Sequence, residues 1–126
     1  MEENYILQLS LLEQQSQEIE KQINLVEQQI NELQIFSLNL DKFKGEGEML
    51  APLGRGVFVK SEVKDKKLFV NIGSGVIVKK TPEEAKEIVL DQVNKLGNLR
   101  VELFNEIEKV NSELLKLIEK AQTAKK

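Results

Sequence analysis

The chain contains no cysteine, no histidine and no tryptophan. The first absence removes disulfides, thiolate nucleophiles and soft-metal sites. The second removes the side chain that most often acts as a general base near neutral pH. Aromatic residues are 5% of the 126. A chain so short of large core-filling side chains is expected to complete its core with partners. Charge of one sign is also missing. Lys and Arg number 18 against 21 Asp and Glu, a net charge of −3. Lysines are interleaved with glutamates rather than clustered, so no nucleic-acid partner is expected. No apolar run approaches the roughly 20 residues that cross a bilayer. The opening Glu2-Glu3-Asn4 lacks the basic region of a secretory signal. A cytoplasmic protein with no membrane role is the expectation.

Glycine and proline are scarce, and their placement divides the chain. Apart from Gly97, every glycine lies between positions 45 and 75. Before that region stands a long helical stretch, read as helix one from about Glu3 to Phe43 within a segment 1–44. Its seam is Tyr5, Leu9, Leu12, Ser16, Ile19, Ile23, Val26, Ile30, Leu33, Ser37 and Leu40. The steps alternate four and three, the period of a coiled-coil stripe. Ser16 and Ser37 interrupt it, either as tolerated polar positions or as register devices. Off the seam, Leu25 is the one apolar residue between Glu13 and Gln34. At the start, Ile6, Leu7 and Leu11 lie off it; at the end, Ile35, Phe36, Leu38 and Phe43 do. The inner set is expected to pack against the middle of the chain. The outer set faces water and reads as a binding patch or as chance leucines on a frayed end.

The middle, 49–80, reads as four short strands in two hairpins. Val57 to Val63 and Lys67 to Ile72 are rich in β-branched and aromatic residues. Gly73-Ser74-Gly75 is read as a hairpin turn and not as a phosphate loop, because it lies between two strands and opens no helix, and Gly54-Arg55-Gly56 is read as a turn and not as a basic loop, because one arginine makes no patch. Four such strands leave open edges and an apolar face. The hairpins are therefore expected to pair with other subunits, through Val57, Phe58, Val59, Leu68, Phe69, Val70, Ile72, Val76, Ile77 and Val78.

Thr81-Pro82-Glu83-Glu84 starts helix two, 82–122, with a capping box and a proline at the first helical position. Its expected seam is Ala85, Val89, Gln92, Leu96, Leu99, Leu103, Ile107, Val110, Leu114, Leu117 and Ala121. Two successive steps of four, from Leu99 through Leu103 to Ile107, would make a stutter. Gly97 is close by, as a tolerated surface residue or as a flexible point. Helix one from Tyr5 to Lys44 and helix two from Pro82 to Ala121 are equally long. Folded antiparallel, they bring Tyr5 beside Ala121. The tip so formed would gather Ile6, Leu7, Leu9, Leu11, Leu12, Leu114, Leu115, Leu117 and Ile118. The fold class is α+β: one domain, a two-helix antiparallel coiled coil joined by two β-hairpins. Glu and Lys lie where a solvated helical face puts them, so no catalytic residue, metal or cofactor is expected.

Two segments carry a family resemblance. Leu50-Ala51-Pro52-Leu53-Gly54-Arg55-Gly56-Val57-Phe58-Val59-Lys60 resembles the first-hairpin motif of prefoldin α subunits. The run from Val70-Asn71-Ile72-Gly73-Ser74-Gly75 to Thr81-Pro82-Glu83-Glu84-Ala85 resembles their second hairpin and helix start. Ala51 and Ile72 are conservative departures. The layout matches over essentially the whole chain and looks most like an archaeal member. The resemblance implies an α2β4 hexamer with prefoldin β subunits, its hairpins forming an intersubunit double β-barrel. It also implies ATP-independent capture of unfolded polypeptide clients at the arm tips and delivery to a cytosolic group II chaperonin. The alternative is a coiled-coil scaffold or filament-forming interaction protein.

Overall fold

The computed structural model describes residues 2–124; Met1, Lys125 and Lys126 lie outside the described residues. Helix α1 runs Glu2–Lys42, followed by strands β1 Gly47–Gly54, β2 Val57–Val63, β3 Leu68–Gly73 and β4 Val76–Lys80, and by helix α2 Pro82–Ala124. The α+β class and element order match the sequence reading. Strand β1 begins at Gly47, ahead of the expected start of the hairpins at 49. Helix α2 extends to Ala124, beyond the expected 122, and the Thr123 hydroxyl donates to the Glu119 carbonyl at 2.6 Å. The chain forms two compact units.

The first unit comprises residues 1–32 and 93–126. Its core is a strip made by Ile19, Ile23, Val26 and Ile30 of α1 with Leu103 of α2; Val93, Leu96, Ile107 and Val110 pack against it. Every seam position expected in α1 is buried or half-buried, and the described residues between them are exposed. Ser16 donates from its hydroxyl to Asn111 Oδ1 at 3.2 Å. That bond crosses between antiparallel helices and gives Ser16 a partner at its level, which favours the register reading.

In α2 the expected seam is corrected. Gln92 and Leu99 are exposed, Leu99 by 41%, whereas Val93 and Arg100 are half-buried. The stripe runs Val89, Val93, Leu96, Arg100, Leu103, Ile107, in steps of four and three. No stutter falls at Leu99 to Ile107. The sequence reading held the alternation of four and three from Ala85, which leads to Gln92 and Leu99, whereas the covered stripe takes two successive steps of four at Ala85, Val89 and Val93 and is displaced by one residue at Val93 and Arg100. A long Arg stem can cover apolar surface while its head reaches water.

The second unit is residues 33–92. Leu40, Ala85 and Val89 are buried, and Lys86 donates to Asp41 Oδ1 at 2.7 Å between the helix segments. The two hairpins form two separate two-stranded sheets, β1 with β2 and β3 with β4, both antiparallel. Gly45 links α1 to β1 at φ +75° and is buried; a β-carbon there would collide with the Lys66 side chain. Asp65 accepts from the Lys67 amide at 2.9 Å, closing the turn that holds Lys66. Ile35, Phe36 and Leu38, expected to pack against the strands, remain exposed; they sit off the seam and no strand covers them. Phe43 is half-buried.

The hairpins repeat one another. Leu53-Gly54-Arg55-Gly56-Val57-Phe58-Val59-Lys60 corresponds to Ile72-Gly73-Ser74-Gly75-Val76-Ile77-Val78-Lys79. Cross-strand pairs Leu50 with Lys60, Ala51 with Val59 and Pro52 with Phe58 correspond to Phe69 with Lys79, Val70 with Val78 and Asn71 with Ile77. Both hairpins carry the same bulge, at Pro52/Gly54 and at Asn71/Gly73. Arg55 and Ser74 both have φ of 52°, each followed by a positive-φ glycine. That pair of left-handed residues is the type I′ turn, whose twist suits a hairpin.

Candidate interaction surfaces

Two surfaces gather apolar side chains that nothing among the described residues covers. The first is in the coiled-coil unit, where the start of α1 meets the end of α2. A shallow groove there is lined by Gln8, Leu11, Leu12 and Gln15 with Glu113, Lys116, Leu117 and Lys120. The expected tip residues divide into two sets. Leu9, Leu12, Leu114 and Leu117 are half-buried on the seam and close the helix pair. Ile6, Leu7, Leu11, Leu115 and Ile118 stand out from it, with Ile6 68% exposed. Polar rims beside an apolar floor suit contacts that are weak one by one and not selective for sequence.

The second surface is the hairpins. Phe58, Phe69 and Ile77 are exposed, as are Val57, Val59, Ile72 and Val76, while Leu68, Val70 and Val78 are half-buried. Alternation explains part of the division; Val57 and Val59 are in phase with Ser61 and Val63, and Ile72 and Val76 with Val70 and Val78, yet they are exposed. One face of each hairpin carries Ala51, Ser61 and Val63, or Leu68, Val70 and Val78, and is sheltered. The other carries Leu50 and Phe58, or Phe69 and Ile77, and is open. Each two-stranded sheet also has both edges unpaired within the chain, a template for adding further strands.

The sequence reading missed Leu50 and Leu53 at this surface, the latter 72% exposed. It also missed Val101 and Phe104, exposed on α2. The signal was available: counting off-seam apolar residues, applied to α1, would have found both on α2.

Among the described residues, no group of three or more Asp or Glu is placed to hold a metal ion. No helix of the described residues is long and apolar enough to cross a membrane. Electrostatics at the start of α2 serve the capping of the helix. Glu84 accepts from the Thr81 amide at 3.2 Å, and Thr81 Oγ1 accepts from the Glu84 amide at 3.1 Å. The Thr81 amide, then the Thr81 hydroxyl, then the Lys80 charge hold the Glu84 carboxyl below its ordinary range. This completes the expected capping box.

Comparisons with known proteins agree with this geometry. The family profile described as "Prefoldin subunit" matches residues 12–126. Prefoldin subunit alpha 1 of Methanocaldococcus jannaschii is 30% identical over 123 residues, 92% of this chain and 87% of the relative. Prefoldin subunit alpha of Methanococcus vannielii is 28% identical over 119 residues, 91% of this chain and 80% of the relative. The cryo-EM structure of filamentous PFD from Methanocaldococcus jannaschii covers 93% of this chain and 94% of its own. Its TM-score is 0.52 at 24% sequence identity, a likeness of fold.

Proposed function

Because the chain belongs to the prefoldin family, with archaeal alpha subunits among its relatives, we propose that it is a subunit of an ATP-independent holdase. It captures unfolded polypeptides at the ends of its coiled coil and delivers them to a group II chaperonin in the cytoplasm. Family membership supports a chaperone subunit that assembles with other prefoldin subunits. The finer reading rests on one observation: Ile6, Leu7, Leu11, Leu115 and Ile118 are exposed around the chain-terminal end of the helix pair.

An unfolded client offers apolar side chains in no fixed order. A pocket shaped for one partner would select too narrowly, whereas exposed Leu and Ile on a firm helical scaffold accept many. Each contact contributes little, so retention comes from several subunits acting together, through effective concentration. The hairpins supply that multiplicity. Their open faces and unpaired edges fit an assembly with prefoldin β subunits, as an α2β4 hexamer whose strands close into intersubunit barrels. Neither role calls for bond chemistry, and a non-enzymatic subunit is the reading.

The test replaces Ile6, Leu7, Leu11, Leu115 and Ile118 with serine in the full chain, assembled with a β-type subunit. Suppression of aggregation is then measured on several unrelated denatured proteins. The expected result is loss of suppression with an unchanged native mass spectrum of the assembly. Undiminished suppression overturns the tip assignment. Stoichiometric binding of a single defined partner, with no protection of unrelated proteins, would favour the scaffold alternative.

A further inference from the structure

The chain-terminal end of the helix pair has two unlike sides. On α1 its groove is lined by Gln8, Leu11 and Gln15, and on α2 by Glu113, Lys116 and Lys120. Each of the six stands one position before a seam residue, so the groove runs along one flank of the seam. Ile6, Leu115 and Ile118 each stand one position after a seam residue and belong to the other flank. Charge divides the two flanks of α2. The groove flank carries Lys109, Glu113, Lys116 and Lys120, all exposed. The other flank carries Asn111, Leu115, Ile118 and Gln122, and no charge.

The groove is therefore basic, in a chain whose net charge is −3. Its α1 wall offers no compensation, since Gln8 and Gln15 are neutral amides. Glu113 stands three residues before Lys116, a spacing that allows pairing on a helix. Even so, among the described residues Glu113, Lys116 and Lys120 form no ion pair. A lysine lays its stem along apolar surface while its ammonium group stays in water. Lys116 and Lys120 thus extend the floor of Leu11, Leu12 and Leu117 and place positive charge at its edge. From Gln8 to Gln15 the groove follows about 10 Å of helix, the reach of about three residues of extended chain.

We infer that the groove side of this end favours client segments in which apolar side chains are flanked by aspartate or glutamate. The inference rests on the reading of this end as the site of client capture, and names the chemical class that it prefers. A client leucine or isoleucine lies over Leu11, Leu12 and Leu117, and a neighbouring carboxylate meets Lys116 or Lys120. Selection is by charge and not by the order of residues, so many clients qualify. Exposed ion pairs are weak one by one, and repetition over several arms multiplies a small bias. The opposite flank, with Ile6, Leu115 and Ile118, accepts apolar segments whatever their charge. The preference belongs to one side of the end alone.

The experiment compares two short peptides with the same leucines, one with aspartates between them and the other with lysines. Fluorescence anisotropy measures the binding of each to the full chain. The aspartate peptide is expected to bind roughly threefold to tenfold more tightly at low salt, and the gap closes at high salt. The net charge of −3 would by itself favour the lysine peptide, so the expected order reports the groove. Lys116→Glu combined with Lys120→Glu abolishes or reverses the preference, with circular dichroism checking that the helices are retained. Leu11→Ser weakens both peptides alike and leaves their ratio unchanged. Equal binding of the two peptides overturns the inference, as does a preference that survives the double substitution. Suppression of aggregation of unrelated denatured proteins, by the chain assembled with a β-type subunit, separates the two readings. Where suppression is present, equal peptide binding or none removes the charge preference alone. No suppression and no binding of either peptide remove both.

Discussion

The coiled-coil unit and the hairpin unit solve the problem of apolar surface in opposite ways. In the first, Ile23, Val26, Ile30 and Leu103 are each no more than 7% exposed, though the unit is only two helices wide. In the second, Phe69 is 68% exposed and Ile77 61%. The difference lies in the backbone. A helix meets its own hydrogen-bonding needs, so two of them need only zip a strip of side chains together. A two-stranded hairpin leaves an edge on each side and a face on each side, and sheds them only by joining other strands. On the proposed reading, stability is thus lodged in one unit and assembly in the other. Capture, on the proposed reading, uses the end of the stable unit that the seam leaves uncovered.

The sharpest way to break that comparison is to substitute matched residues in the two units. Leu103→Ala removes a buried seam residue and should cost about 2–5 kcal/mol in thermal unfolding of the chain. Phe58→Ala, on the open hairpin face, should cost roughly 0.5 kcal/mol or less in the unassembled chain. The same Phe58→Ala should still weaken co-assembly, measured by native mass spectrometry. Equal losses of stability from both would mean that the hairpin face is already covered within the chain. Leu99→Ala sharpens the seam itself. As an off-seam residue, Leu99 should cost roughly 0.5 kcal/mol or less. A loss comparable to that of Leu103→Ala would return Leu99 to the seam and bring back the stutter.

The link into the hairpins gives a smaller effect. Gly45 combines a positive φ with a near collision at Lys66. Gly45→Ala places a side chain in a left-handed conformation and against that turn. The expected cost is about 1–3 kcal/mol, read from thermal unfolding. The coiled-coil unit contains no corresponding point, since Gly97 has a φ in the ordinary range and open space around its α-carbon. Gly97→Ala should stabilise by about 1 kcal/mol through helix propensity. A loss of client capture in that variant, with stability raised, would give Gly97 the role of a flexible point.

How much could be read beforehand differs between the units for the same reason. The α1 seam was legible residue by residue, because alternation of four and three leaves few other registers. The seam of α2 was legible at Ala85, Val89, Leu96 and from Leu103 onward, but not at Val93 and Arg100. There a strict alternation counted from Ala85 leads to Gln92 and Leu99, and the extra residue between Ala85 and Val93 that displaces the stripe shows only when the two helices are paired. The hairpin turns were legible from their glycines. The exposure of Ile35, Phe36 and Leu38 was not: apolarity shows that a side chain seeks cover, not whether this chain supplies it. The nine-residue tip was legible as a cluster. Its division into a closing set (Leu9, Leu12, Leu114, Leu117) and an open set needs the helix pairing, which no single helix reveals.

A further test concerns the junction where the hairpins hand over to α2. Thr81 and Glu84 exchange hydrogen bonds in both directions, with Pro82 buried at the first helical position. Thr81→Ala removes the hydroxyl that accepts from the Glu84 amide and should cost about 1 kcal/mol. The carboxyl behaves differently. Its affinity for protons is lower in the folded chain than in the unfolded one, because the Thr81 amide, the Thr81 hydroxyl and the Lys80 charge favour the ionised form. Its contribution is therefore complete above the unfolded carboxyl pKa and is lost as pH falls through the lower folded value. The foremost of those causes is a backbone amide, so Thr81→Ala should weaken the acid dependence without abolishing it. Glu84→Gln should keep an acceptor for the Thr81 amide and abolish this site's share of the acid dependence. Thermal unfolding across the acidic range measures both. An acid slope in Glu84→Gln equal to that of the unaltered chain would mean that the capping carboxylate carries no pH-linked stability at this junction.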